Sequence, residues 1–190
     1  MINFTEKQIQ EAMQQDAIYS NNLRDRDDRL RKDCFVRGRL AEIFFRNLFQ
    51  DHCFEILKNI PNYGEDIDLQ ISGIYLQNQM IFFNRPINIE IKTSLIPYEN
   101  FNILQCGDVK IYKNSNIIEN DIKWDICIQV YFNELKQYWE NFIRNSDENL
   151  IYERYKHLNF DCYWITRDKV IYYSNSIHNP NDKIWTFNNF

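Results

Sequence analysis

Between Ile87 and Ser94 the chain reads Ile-Asn-Ile-Glu-Ile-Lys-Thr-Ser, and few stretches leave a polypeptide so little choice. Ile87, Ile89 and Ile91 alternate with Asn88, Glu90 and Lys92, the period of two that marks a β-strand with one face in a core. The other face sets Glu90 and Lys92 side by side, about 7 Å apart along the strand. A carboxylate and an ammonium on so apolar a strand are costly to bury without purpose. Upstream, Asp66-Ile67-Asp68-Leu69-Gln70-Ile71 alternates in the same way. Its aspartates share one face, while Ile67, Leu69 and Ile71 fill the other. Paired, the two strands bring Asp66 or Asp68 beside Glu90 and Lys92, a constellation that binds a hard cation and handles a water molecule.

The chain around these strands reads as alternating helices and strands. Thr5 and Gln8 have the spacing of a capping box and start a helix that runs to about Tyr19. From about Asp27 to Gln50, Val36, Leu40, Ile43, Phe44 and Leu48 recur at helical spacing, with Phe45 and Phe49 widening the apolar surface. Glu42 lies within that surface as the helix's anomaly; a peripheral pairing with Arg39 or Arg46 is the plainer account. Cys53 to Ile60 reads as a strand, Pro61 to Gly64 as a turn, and Ile74 to Phe83 as an extension of the sheet, with Asn84-Arg85-Pro86 leading into the Glu-Ile-Lys strand. Tyr98 to Lys113 is ambiguous. Trp124 to Phe132 is rich in β-formers and reads as a buried strand. Asn133 to Asn145 and the weaker Asp147 to His157 read as helices. Cys162 to Thr166 and Val170 to Ser174 read as a hairpin around Arg167-Asp168-Lys169, and Ile184 to Phe187 as an edge strand. This order predicts an α+β or α/β fold with a central mixed sheet.

At 190 residues the chain fits one domain: an N-terminal helical extension (1–26), a core (27–132), and C-terminal helices and strands (133–190). No stretch has the length or apolarity of a membrane span, and no leader pattern opens the chain, so a cytoplasmic protein without membrane contact is expected. The five cysteines are scattered without a C-x-x-C pair and read as reduced core residues. His52, His157 and His178 have no ligand spacing, and no Gly-rich phosphate loop is present. The aromatic tail (Trp164, Tyr172, Tyr173, Trp185, Phe187) is able to stack bases, although core or subunit contacts are its commoner use.

The formal net charge of −5 argues against holding a polyanion by charge alone. Arginines do concentrate between Leu23 and Arg39, but Asp25, Asp27, Asp28 and Asp33 are interleaved with them, as on a solvated, salt-bridged helix face.

The acids and the lysine share a consistent use. Mg²⁺ prefers oxygen ligands and keeps several waters. Asp68 and Glu90 would each give a carboxylate oxygen, the Ile91 carbonyl a third ligand, and Glu42 would hold the ion or its water shell. A protonated Lys92 would orient water and stabilise charge developing on a phosphate.

A helix glutamate, a strand aspartate and then Glu-x-Lys on the next polar-faced strand resembles the PD-(D/E)XK nuclease superfamily. Here the motif reads Gly64-Glu65-Asp66-Ile67-Asp68 followed by Ile89-Glu90-Ile91-Lys92, and the likeness covers roughly Arg37 to Thr93. Ile67 stands where the pattern often has proline, and Asp66 competes with Asp68 for the ligand position. No Gln-x-x-x-Tyr helix follows the lysine, which turns the resemblance toward endonucleases. It implies a restriction-endonuclease-like sheet flanked by helices, with Glu42, Asp68, Glu90 and Lys92 catalytic. Mg²⁺, or Mn²⁺ in its place, would be the cofactor, and Arg37, Arg39, Thr93 and Ser94 would contact DNA. The implied activity is DNA cleavage of restriction or defence type, by a homodimer with one site per subunit. Two alternatives are a non-catalytic nucleic-acid-binding or assembly module of the same fold, and a subunit active only with partner proteins in a defence or repair complex.

Overall fold

The computed structural model describes residues 4–19, 27–52, 56–58, 67–76, 79–103, 108–173 and 184–188. Its elements in chain order are helices α1 (Glu6–Tyr19) and α2 (Asp28–His52) and strands β1 (Ile56–Lys58), β2 (Leu69–Leu76), β3 (Gln79–Ile96) and β4 (Asp108–Tyr112). The short helix α3 (Ile118–Asp121), strand β5 (Ile126–Leu135), helices α4 (Lys136–Asn145) and α5 (Glu148–Lys156), strand β6 (Phe160–Thr166), helix α6 (Arg167–Tyr173) and strand β7 (Ile184–Asn188) complete the chain. This is an α+β architecture. One sheet has the order β1-β2-β3-β5-β6, and β4 pairs with β7 in a second. Contacts group the chain into two compact units that interleave along the sequence: Met1–Leu48, Thr93–Asn100 and Val130–Cys162 in one, and Phe49–Lys92, Phe101–Gln129 and Tyr163–Phe190 in the other.

The helix starts follow their sequence signals. Thr5 Oγ1 accepts from the Gln8 amide, and Gln8 Oε1 accepts in return from the Thr5 amide at 2.8 Å, closing the capping box. Asp27 caps α2 by accepting from Leu30 N–H at 2.9 Å, and Asp147 caps α5 by accepting from Leu150 N–H at 2.9 Å.

In the first unit, Phe4, Phe44, Phe45, Phe132 and Phe160 form a ring cluster with stacked, edge-on and tilted contacts, Phe44 meeting Phe160 edge-on at 5.1 Å. Beside Phe132 lies a buried polar hub. Asp33 is 2% exposed; its Oδ2 accepts from Arg37 Nε and Nη2 at 3.0 and 2.9 Å, and its Oδ1 from Trp139 Nε1 and Tyr155 Oη at 2.9 and 3.1 Å. Burial by itself pulls the Arg37 guanidinium down, and the charge and hydrogen bonds of Asp33 more than offset it. One carboxylate thus ties α2, α4 and α5 together with four donated hydrogen bonds.

In the second unit the core gathers Val109, Ile111, Ile122, Trp124, Cys127, Ile165 and Val170. β2 and β3 pair antiparallel, Leu69 opposite Ile89 and Ile71 opposite Ile87, then Gly73 opposite Phe82. Two steps along β2 match five along β3, so the extra residues of β3 bulge out around Asn84-Arg85-Pro86. Pro86 donates no backbone hydrogen bond, and a bulge is one of the few places a strand tolerates that. Close by, only glycine fits at position 73, where a Cβ would stand 2.5 Å from the Ile81 carbonyl oxygen.

The expected extension of the sheet over Ile74–Phe83 is formed by the end of β2 and the start of β3, which pair with each other. Two expectations need correction. Val170 to Tyr173 is helical, not the second strand of a hairpin: Thr166 Oγ1 accepts from Lys169 N–H, and Val170 is buried in the apolar cluster. Tertiary packing and a cap there override the β-propensity of Val-Ile-Tyr-Tyr. Cys162 is exposed on β6, while Cys127 is buried and Cys34 half-buried, all three as free thiols. The expected turn at Pro61–Gly64, with Asp66, Cys53, Cys106 and His178, lies outside the described residues.

Removing the hub's acceptor leaves Arg37 charged and buried, a loss of about 3–5 kcal/mol for a broken buried pair. Asp33→Ala is expected to lower the urea midpoint accordingly. Lys32→Ala removes an exposed pair with Glu148 at 3.7 Å and is expected to change stability by about 0–1 kcal/mol.

Candidate active site

The start of β2 and the middle of β3 are locked by their backbones. Asp68 lies just before β2; its amide donates to the Ile89 carbonyl at 2.9 Å, and its Oδ2 accepts from Ile91 N–H at 2.6 Å. The aspartate therefore sits directly against the Glu90-Ile91-Lys92 segment. Glu90 is 5% exposed and forms an ion pair through Oε1 with Lys92 Nζ, two residues along the same face. Lys92 keeps more contact with solvent, its side chain 29% exposed.

β5 supplies a residue that the sequence reading did not place here. Cys127 is fully buried; burial pushes its thiol well above the usual range, Glu90 raises it further, Lys92 opposes and Asp68 adds. All three charged groups thus act on one sulfur. Two positions on, and on the same strand face, stands Gln129, a buried amide at 3% exposure. A single amide in Ile-Cys-Ile-Gln-Val-Tyr-Phe was the signal that could have pointed to it.

A polar clasp fixes this end of the sheet. Arg85, from the β3 bulge, donates to Asp125 Oδ2 and Oδ1 at 2.8 and 2.5 Å. Asp125 Oδ2 also accepts from Asn88 N–H at 2.9 Å, the Asp125 amide donates to the Asn88 carbonyl at 2.8 Å, and Arg167 N–H donates to the Asp125 carbonyl at 2.9 Å. The Arg85 hydrogen bond holds the Asp125 carboxyl below the usual range against the opposing effect of burial.

The other expected site residues fall elsewhere. Glu42 lies in the first unit in an ion pair with the buried Arg39, as the plainer account of it anticipated. Arg37 belongs to the Asp33 hub, so neither arginine presents a guanidinium to solvent. Thr93 and Ser94 are half-buried on β3 beyond Lys92. Asp66 lies outside the described residues, and Asp68 alone represents the aspartate pair. Trp164, Tyr172 and Tyr173 are exposed, so they are not core.

The donor chemistry fits a hard cation: Asp68 and Glu90 offer carboxylate oxygens beside the Ile91 backbone. Among the described residues, no three His, Cys, Asp or Glu side chains gather as a metal-binding group. Also among these residues, no helix is long and apolar enough to cross a membrane. No protein-family model matches the chain, and no curated protein or solved structure matches it either.

The thiolate is the reactive form of cysteine. Iodoacetamide at pH 8 is expected to leave Cys127 unmodified in the folded protein and to label it in urea, as read by peptide mass spectrometry. Native labelling of Cys127 as fast as Cys162 would contradict this placement. The clasp gives a pH signature. A carboxyl lowered by folding contributes stability above its unfolded pKa, near 4, and loses it as pH falls through the lower folded value. Asp125→Asn is expected to cost about 1 kcal/mol at pH 7, with Arg85 largely solvent-screened, and the gap to wild type should close below about pH 4.

Proposed function

We propose that this chain is a Mg²⁺-dependent DNA endonuclease of restriction or defence type, resembling the PD-(D/E)XK nucleases. The observation that carries the reading is the seat of Asp68 on the Glu90-Ile91-Lys92 backbone, which puts the aspartate of one segment against the Glu-x-Lys of the next. The reading rests on the second unit; Glu42, the acid expected from the helix, lies in the first.

Asp68 and Glu90 would hold the cation, with Ile91 supplying a backbone oxygen. Bound there, Mg²⁺ would lower the pKa of a coordinated water and neutralise charge on a phosphate. The protein's own contribution is positional. The Ile91 amide orients the Asp68 carboxylate, and Glu90 holds the Lys92 ammonium on the carboxylate face, where it meets a phosphate oxygen as charge builds up.

One observation favours a second reading, a nuclease subunit that acts only with partners. The net charge is −5, and Arg37 and Arg39 are both committed to internal carboxylates. Basic surface for DNA would then come from another chain.

Purified protein is expected to nick or linearise plasmid DNA with Mg²⁺ or Mn²⁺ and to stop when EDTA is added. Lys92→Met is expected to lower the rate by about 10²–10³-fold with an unchanged circular dichroism spectrum. Full activity in that variant, or cutting that EDTA does not affect, would sink the mechanism. Cleavage that appears only with a partner protein would favour the second reading.

A further inference from the structure

The end of β5 and the two helices after it line a cleft in the first unit that the hydrolytic reading does not use. It measures about 240 Å³, and its walls are Glu134, Tyr138, Trp139, Phe142 and Arg154. Tyr138 and Phe142 stand four residues apart on α4 and so share a face. Trp139 meets Phe142 at 5.9 Å between ring centroids, and its indole N–H is committed to Asp33, which fixes the ring. A cavity of roughly 150 Å³ admits benzene, so this aromatic-walled space has room for a two-ring system. The polar wall is an ion pair. Arg154 Nη2 donates to Glu134 Oε1 at 2.6 Å, with the arginine side chain 50% exposed and the glutamate 20%. Among the described residues neither side chain makes another hydrogen bond, so most of the guanidinium fork and the second carboxylate oxygen remain for a ligand.

We propose that this cleft is a binding site for a guanine base. A purely apolar ring would cover the Glu134–Arg154 pair and give it nothing in place of its water, which is costly. The occupant must therefore carry acceptors for the guanidinium and donors for the carboxylate along the edge of a flat ring system. Guanine does so: O6 and N7 accept from an arginine fork, and N1–H and N2–H on the adjoining edge donate to a carboxylate. Adenine has an amino group where guanine has O6, and it offers Glu134 one donor group where guanine offers two. Pyrimidines have a single ring and leave part of the cleft unfilled. Tyr138, 59% exposed, and Phe142 supply faces for stacking, which every base accepts, so the selectivity comes from the ion pair. This inference does not rest on the hydrolytic reading: it needs no cation and uses none of Asp68, Glu90 and Lys92.

Isothermal titration calorimetry of the full chain with GMP, AMP and CMP, from about 1 µM to 1 mM in the presence of EDTA, tests it apart from any cleavage. GMP is expected to bind at least about tenfold more tightly than AMP or CMP. Tyr138→Ala is expected to weaken GMP about tenfold through lost stacking, and Glu134→Gln to remove most of the preference over AMP. Circular dichroism checks that each variant is folded, so that one misfolded protein does not decide the matter. A short single strand with one central guanine, set against GMP, tells a strand's base from a free nucleotide, and tighter binding of either supports the site. No binding of GMP up to about 1 mM overturns the proposal. So does AMP bound as tightly as GMP, or a folded variant that keeps wild-type affinity and selectivity.

Discussion

The antiparallel register that sets Leu69 opposite Ile89 governs the rest of the second unit. Side chains alternate along a strand with a period of two, so a slip of one residue would send Glu90 and Lys92 to the opposite face and draw Ile89 and Ile91 out of the core. The isoleucines resist that slip by their burial. The two backbone-level contacts of Asp68 resist it too, because its amide and its carboxylate grip β3 at two different residues. Apolar packing and polar chemistry therefore fix the same alignment, and the ion pair of Glu90 with Lys92 inherits it.

Much of this was legible in the sequence because it is local. Thr5 with Gln8, and Asp27 ahead of its apolar helix, are short-range signals that tertiary structure had no reason to overturn. The alternation around Glu90 survived for the same reason. What escaped depended on distant partners. Val170 to Tyr173 has strand propensity, yet a cap and burial of Val170 made it helical. Asn84-Arg85-Pro86 looked like a lead-in to a strand, but Arg85 reaches Asp125, forty positions away, and the segment is a bulge inside one long strand. Cys127 looked like any core thiol; only the neighbouring strand shows which charges surround it.

Burial also divides the charged residues into two kinds of work. Arg37 and Arg39 read in sequence as members of a basic cluster, yet both are spent on carboxylates of their own helix. Asp33 holds three elements of the first unit through one side chain, at the cost of desolvating a charge pair. Lys92 is different: it is paired with Glu90 and still reaches water. An ion pair that keeps one solvent-facing partner can exchange that contact for an incoming anion, whereas a sealed one cannot without unfolding.

The bulge at residues 83–86 separates two ladders that would otherwise share one alignment. Strand length gained or lost within it is absorbed as a larger or smaller loop of backbone, as an expansion joint absorbs movement between rigid spans. The outer ribbon can therefore drift in size and composition over evolutionary time while the inner ladder, with Asp68 and Glu90, keeps its alignment.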